Sequence, residues 1–377
     1  MTNKPLCHAP FKNVRMKVTA DHKATFRPCC HYDGFSTEKD VEQYLNSNWL
    51  ANIRTAMHGA ELPAECGKCT RTEQAGLPSL RQQLHLKHFV ADSKIVQLEA
   101  FPSNICNLRC FMCNPDQSIS LASERKQLGW IKSYETIDNA DHTIETIRKL
   151  PDLKTVSFIS GEFFLTKRAN EILSEIAQRE LAVRIITNAT SINSEHISRL
   201  QCIAVVELQV SLDGVDDAYE FMRYPARWSV VHHNIQLLKT QLPHADINIQ
   251  FVAQCINLHQ LIPAMDYANQ QMLPFRSVKL TEPDWLSWAV LTKDEKLALA
   301  DVLDQQLTST YLTRAQLSQI QHYKDLMFAE SHDPLLRQQC SQRLAELLEY
   351  RSIAPDAIRK QLAPLPALAE EIIKQFA

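Results

Sequence analysis

The sequence predicts an α/β fold in three parts, and three observations carry that expectation. Six short runs rich in β-branched residues alternate with helical patterns across 91–289, as in βαβ units with a parallel sheet. Residues 290–377 read as helix throughout, with apolar residues spaced by three and four. Residues 1–90 combine a hairpin and a short helix with five of the eleven cysteines.

The first part is short on periodicity. In "FKNVRMKVTADHKATFRPCC", Val14, Met16 and Val18 alternate with charged residues, and "ADHK" supplies the turn of a hairpin. "SNWLANIRTAMHG" reads as a short helix ended by Gly59. "ELPAECGKCTRTEQAG" then carries a C-x2-C pair.

In the second part the strands are "KIVQLEAF", "KTVSFIS", "AVRIITN", "AVVELQVSLD", "DINIQFVAQ" and "RSVKLT". Helical patterns such as "TIETIRKL", "RANEILSEIAQRE" and "VVHHNIQLLKT" lie between them. Six strands suit an open sheet or a partial barrel, and periodicity does not choose. In the third part, "TKDEKLALADVLDQQL" and "LLRQQCSQRLAELLEY" begin a tail that continues with proline breaks. Such a tail packs on the preceding domain, or covers an active site or partner surface.

Bulk properties narrow the function classes. Of 377 residues, 45% are hydrophobic and 22% charged, enough for a sizeable core. The net charge of -3 argues against a broad nucleic-acid surface. The N-terminus lacks the apolar region of a signal peptide, and no run of eighteen apolar residues suggests a membrane span. A cytoplasmic location is expected, where cysteines stay reduced. Cys202, Cys255 and Cys340 stand apart in the chain and read as buried small hydrophobes.

The other eight cysteines lie before Ile119. Cys106, Cys110 and Cys113, in "SNICNLRCFMCNPD", follow a strand with C-x3-C-x2-C spacing. Strand ends are where α/β folds place chemistry. Zinc would need a fourth ligand from elsewhere. An iron–sulfur cube can instead take three thiolates and leave one iron open for a substrate or cofactor.

This arrangement resembles the radical S-adenosylmethionine (SAM) superfamily. The resemblance implies a partial (β/α)6 barrel and a [4Fe-4S] cluster on Cys106, Cys110 and Cys113, with SAM on the open iron. Cleavage of SAM would give a radical that abstracts a substrate hydrogen. "FISGEFF" resembles the family's Gly-Gly-Glu-Pro segment: Gly161 and Glu162 match and would meet the SAM amine, while Ser160 and Phe163 depart from it. "IITNAT" supplies Asn188, with Ala189 in place of a glycine. In "QVSLDGVDDAYEFMRYPARW", Ser211 would reach the SAM carboxylate or ribose. Asp213 and Gly214 would form the strand-end turn, and Arg223 would approach the carboxylate. Asn257 follows the fifth strand, near SAM. Met112 replaces the aromatic that usually precedes the third cysteine and packs near adenine. Together these segments cover about 95–260.

The first part resembles the auxiliary-cluster modules called SPASM or Twitch domains, placed here before the barrel and not after it. The resemblance implies a second, auxiliary [4Fe-4S] cluster on Cys7, Cys29, Cys66 and Cys69. Cys29 and Cys30 point to opposite faces if both lie on a strand, so one is the expected ligand, and the resemblance favours Cys29. The boundaries are then 1–90 for the module, 91–289 for the barrel and 290–377 for the helical tail. Zinc is the rival occupant of the second set.

Enzymes of this kind modify peptide or protein residues, or small molecules such as sugars and alcohols. They draw electrons from a reducing protein such as flavodoxin or ferredoxin. Oxidation or cross-linking of a peptide residue is the leading expectation, with small-metabolite oxidation or rearrangement second. A non-catalytic metal-binding interaction protein is third. No catalytic acid or base is named. Glu73 and Arg81 read as a structural ion pair near the auxiliary cysteines, and His8 as a donor beside Cys7. His31, His232 and His233 read as surface or helix residues. Trp285 and Trp288 read as packing for the tail.

Overall fold

Val14, Met16 and Val18 are buried, and Arg15 and Lys17 between them are half-buried, so β1 (Asn13–Val18) has the expected period of two. It pairs antiparallel with β2 (Ala24–Arg27), Met16 opposite Phe26. Its other edge runs parallel to β3 (Gln97–Phe101). Then follow β4 (Thr155–Phe158), β5 (Ala182–Thr187), β6 (Val206–Ser211), β7 (Asp246–Ala253) and β8 (Phe275–Lys279). Each is parallel to the strand before it, giving the order β2-β1-β3-β4-β5-β6-β7-β8. This computed structural model describes residues 6–19, 23–74, 79–87, 93–159, 161–308 and 311–376. The "ADHK" turn lies mostly outside them, and Ser160 wholly so.

The six strands read from the sequence are β3–β8, which form one continuous parallel run. The N-terminal hairpin is not a separate sheet, however. Val14 and Met16 share one core with Leu98 and Ala100 of β3, so the hairpin completes the β3 edge. That edge would otherwise present unpaired backbone groups.

Crossover helices cover the sheet. In Ala169–Gln178, Ile172, Leu173 and Ile176 are fully buried, the spacing of one helical face. Each contributes about 1.5–3 kcal/mol by leaving water.

The tail forms five helices: Lys293–Leu307, Arg314–Ala329, Pro334–Tyr350, Pro355–Gln361 and Pro366–Ile373. Three begin with proline, whose missing N–H costs nothing in a first turn. Their apolar faces share a second core with Phe251, Met265 and Trp288. Arg337 is buried between Glu295 (2.8 and 2.9 Å) and Glu371 (2.7 Å), tying three of the helices together. Arg351 joins the tail to the barrel through two 2.8 Å bonds to buried Glu124. Cys255 and Cys340, far apart in sequence, meet in this core and are buried as expected. Cys202 is exposed, which corrects the expectation that it is buried. It lies in the turn just after the helix Ser194–Leu200, with its Sγ 3.4 Å from the Ser198 carbonyl. Among the described residues, no helix is long and apolar enough to cross a membrane.

Candidate functional site

The loop after β3 carries Cys106, Cys110 and Cys113, and its backbone is clamped from several sides. Ser120 donates its hydroxyl to the Cys106 carbonyl (2.7 Å), and Ser118 donates to Leu108 (2.7 Å). Arg109 N–H reaches the Tyr224 carbonyl at 2.7 Å, and Arg351 Nη2 donates to the Arg109 carbonyl at 2.5 Å. Gly161 closes the other side. A Cβ there would stand 2.7 Å from the Ser103 carbonyl oxygen and 2.8 Å from that of Ile105, and φ is +62°. Only glycine lets the β4 end approach this loop so closely.

All three cysteines line one cavity of about 770 Å³ at the strand ends, large enough for a drug-sized ligand. Met112, Gly161, Asn188, Ser211 and Arg223 line it too. Asn188 Nδ2 lies 3.8 Å from Cys106 Sγ, and Arg223 Nη1 lies 3.8 Å from Cys110 Sγ. Burial, then repulsion from neighbouring thiols, pushes Cys106 up to about 12 and raises Cys113 further. Burial raises Cys110 as well, against the pull of Arg223. Thiols held this way ionise only when a cationic centre meets them. An iron–sulfur cluster fits that donor set. Among the described residues, no three His, Cys, Asp or Glu side chains converge as a single metal ion requires.

Three residues expected at SAM stand back from the cavity wall. Glu162 is fully buried, and its carboxylate accepts from Thr187 Oγ1 (2.8 Å), Asn188 N (2.7 Å) and Phe164 N (3.4 Å). These bonds brace β4 against the end of β5, with Thr187 and Phe164 on Oε1 and Asn188 N on Oε2. Burial lifts the Glu162 pKa to about 7, although these donors pull the other way. Asp213 accepts from Val252 N at 2.8 Å and ion-pairs with Arg223 at 2.6 Å. Asn257 bonds the Asp213 carbonyl (3.2 Å), the Val252 carbonyl (3.1 Å) and Gln254 N (2.9 Å). The last two therefore shape the β6 and β7 ends and hold Arg223 in place.

Sequence reasoning missed a further wall. Arg125, Trp130 and Arg343 line the same cavity, Arg343 from the tail helix Pro334–Tyr350. The tail thus both packs on the barrel and helps enclose the site. Trp285 lines the cavity, edge-on to Trp130, whereas Trp288 is buried against Tyr323 as packing. No motif marked Arg125 or Arg343, since isolated arginines on helices read as surface residues.

The second cysteine set also shares one cavity. Cys7, Cys29, Cys66 and Cys69 line one small cavity with His31, Leu62, Leu80 and Arg81, and Cys30 is not part of it. The space between them is about 20 Å³, so a cluster there requires the thiol side chains to swing apart. Burial raises Cys7 to about 11 and Cys66 to about 12. His31, read from sequence as a surface or helix residue, places Nδ1 3.6 Å from Cys69 Sγ. Burial, then Lys68, lowers it to about 4, leaving a neutral imidazole able to bind metal. Arg81 and Glu73 form the expected ion pair, with Nε to Oε1 at 2.6 Å, and Arg81 also donates to the Leu6 carbonyl (3.0 Å).

Residues 101–250 match the family model of the Radical SAM superfamily. No curated protein matches the chain. Solved structures that the chain matches include native anSMEcpe with bound AdoMet, 18% identical over 55% of this chain and 59% of that one, TM-score 0.42. Another is SuiB of Streptococcus suis bound to precursor peptide SuiA, 16% identical over 66% of this chain and 52% of that one, TM-score 0.43. BtrN in complex with AdoMet and 2-DOIA is 15% identical over 41% of this chain and 57% of that one, TM-score 0.28. The chain thus spans between half and three fifths of the length of these three proteins.

Proposed function

We propose that this chain is a radical SAM enzyme that oxidises or cross-links a residue of a peptide or protein. The observation that carries the reading is the convergence of Cys106, Cys110 and Cys113 on one cavity with Asn188, Ser211 and Arg223. With a four-iron cluster and SAM bound there, the chemistry supplied is reductive cleavage of SAM and removal of a substrate hydrogen. The chain's own groups hold and orient. Arg223 offers a buried positive charge beside Cys110, suited to the SAM carboxylate. Ser211 and Asn188 offer hydrogen-bonding groups, and Met112 an apolar surface, on the same wall. Glu162, Asp213 and Asn257 fix the backbone around them.

Cys7, Cys29, Cys66 and Cys69 would hold a second cluster, with His31 as a fifth donor at the same place. A fully ligated cluster suits electron transfer, and this favours an oxidative outcome over simple hydrogen return. A small reducing protein of the flavodoxin or ferredoxin type would supply electrons. The test is to incubate the iron-loaded, reduced chain and SAM with candidate short peptides and read their masses. Loss of two hydrogens, about two mass units, supports the reading, and Cys66→Ala should then stop product while some SAM cleavage persists. Unmodified peptides beside turnover of a small metabolite would contradict it.

A further inference from the structure

Arg125 stands apart from the other buried arginines. Its residue is 4% exposed, it lines the main cavity, and its Nη1 is buried without a hydrogen-bond partner among the described residues. Adjacent Glu124 is already held by Arg351 through two bonds. Arg125 instead rests on Trp130, its Cζ 4.1 Å from the ring centroid. Arg343 leans on the same indole at 4.6 Å. No ion pair forms at either guanidinium among the described residues. Trp130 is itself fixed, its Nε1 donating to Glu346 at 2.5 Å.

Burying an arginine without a counter-ion is costly. Burial draws Arg125 down to about 9, with Glu124 opposing and Arg351 and Arg343 adding to the shift, so it remains charged at neutral pH. A second cation beside it raises the cost. The arrangement becomes favourable once an anion enters, because planar guanidinium forks match carboxylate and phosphate oxygens. Arg223, by contrast, already has Asp213 and stands at the cluster cysteines. Glu282 and Asp284 also line the cavity, and both are exposed to solvent.

The geometry points to a substrate subsite in which Arg125 and Arg343, carried on Trp130, grip an anionic carboxylate or phosphate group of the molecule being modified. This deepens the radical SAM reading and rests on it for the word substrate. Arg343 lies outside residues 101–250, the segment matching the superfamily model. A residue supplied by the tail suits a role particular to this chain's substrate more than the shared cofactor.

The test uses the full chain with acetate or inorganic phosphate as probe, against chloride at equal ionic strength, read by thermal unfolding. A ligand that binds only the native state raises the midpoint in a saturable way. The expected result is a saturable rise with one of the two probes, and the better probe tells carboxylate from phosphate. Arg125→Gln and Arg343→Gln should each weaken that binding about ten- to hundredfold while leaving SAM affinity unchanged. If Arg125→Gln does not fold, half-exposed Arg343 carries the test with Arg343→Gln and Arg343→Lys. No saturable rise, or equal rises in wild type and variants, overturns the subsite. Loss of SAM affinity in the variants also overturns it, by giving the guanidiniums to the cofactor. Anion binding that persists in a chain unable to cleave SAM would instead keep the subsite and sink the enzymatic reading.

Discussion

Arg223 Nη2 lies 2.6 Å from Asp213 Oδ2, both residues buried, while Nη1 of the same guanidinium lies 3.8 Å from Cys110 Sγ. One arginine therefore links the β6 end to the cysteine loop. Asp213 neutralises it, and Val252 N and the Asn257 side chain hold Asp213 in turn. Asp213→Ala leaves a buried guanidinium without its partner. Urea unfolding should show a loss of about 3–5 kcal/mol. A loss below about 1 kcal/mol would show that the pair does not anchor the site.

The burial of Glu162 sets the sign of an expected pH dependence of stability. Its native pKa is raised from 4.5 to about 7, so between those values the native state holds a proton that the unfolded state has lost. Its contribution to stability is complete below pH 4.5 and is lost as pH rises through about 7. Relative to Glu162→Gln, wild type should lose stability over that window, by on the order of 3 kcal/mol at most. Parallel stability–pH curves for the two proteins would contradict this.

Arg351 and Glu124 test how the tail is held. Replacing either residue alone strands a buried charge and should cost about 3–5 kcal/mol. Replacing both by methionine should cost far less, since an apolar pair of similar volume avoids desolvation. A double-mutant cycle measures the coupling, and additive losses would contradict a direct pair.

The auxiliary cysteines separate by iron content. Cys29→Ala or Cys66→Ala should lower iron from about eight to about four per chain after anaerobic loading, leaving one cube. Cys30→Ala should leave it unchanged, because Cys30 is not on the cavity that the other four share. Equal loss from Cys29→Ala and Cys30→Ala would reopen the choice. Zinc in place of half the iron would favour the rival occupant.

Much of this was legible in the sequence because it is local. β3–β8 announced themselves by composition and spacing, and the three-cysteine loop by C-x3-C-x2-C. What was not legible depends on long-range packing. That β1 pairs with β3 follows from burying Val14 and Met16 beside Leu98, which no local pattern states. Glu162 occurs in the expected segment, yet its orientation depends on donors from Thr187 at the end of β5 and Asn188 just after it. His31 and Arg343 reach their cavities through contacts 38 residues and more than 200 residues away in sequence, respectively, with Cys69 and Trp130.

On the proposed function, Cys106, Cys110 and Cys113 build a SAM-cleaving site. The most direct measurement is 5′-deoxyadenosine formed from SAM by the anaerobically iron-loaded, reduced chain. The expected result is formation by wild type, none when all three cysteines are replaced by alanine, and auxiliary iron retained in that variant. A fully loaded wild-type chain that binds SAM but forms no 5′-deoxyadenosine would rule out a SAM-cleaving role for the three cysteines.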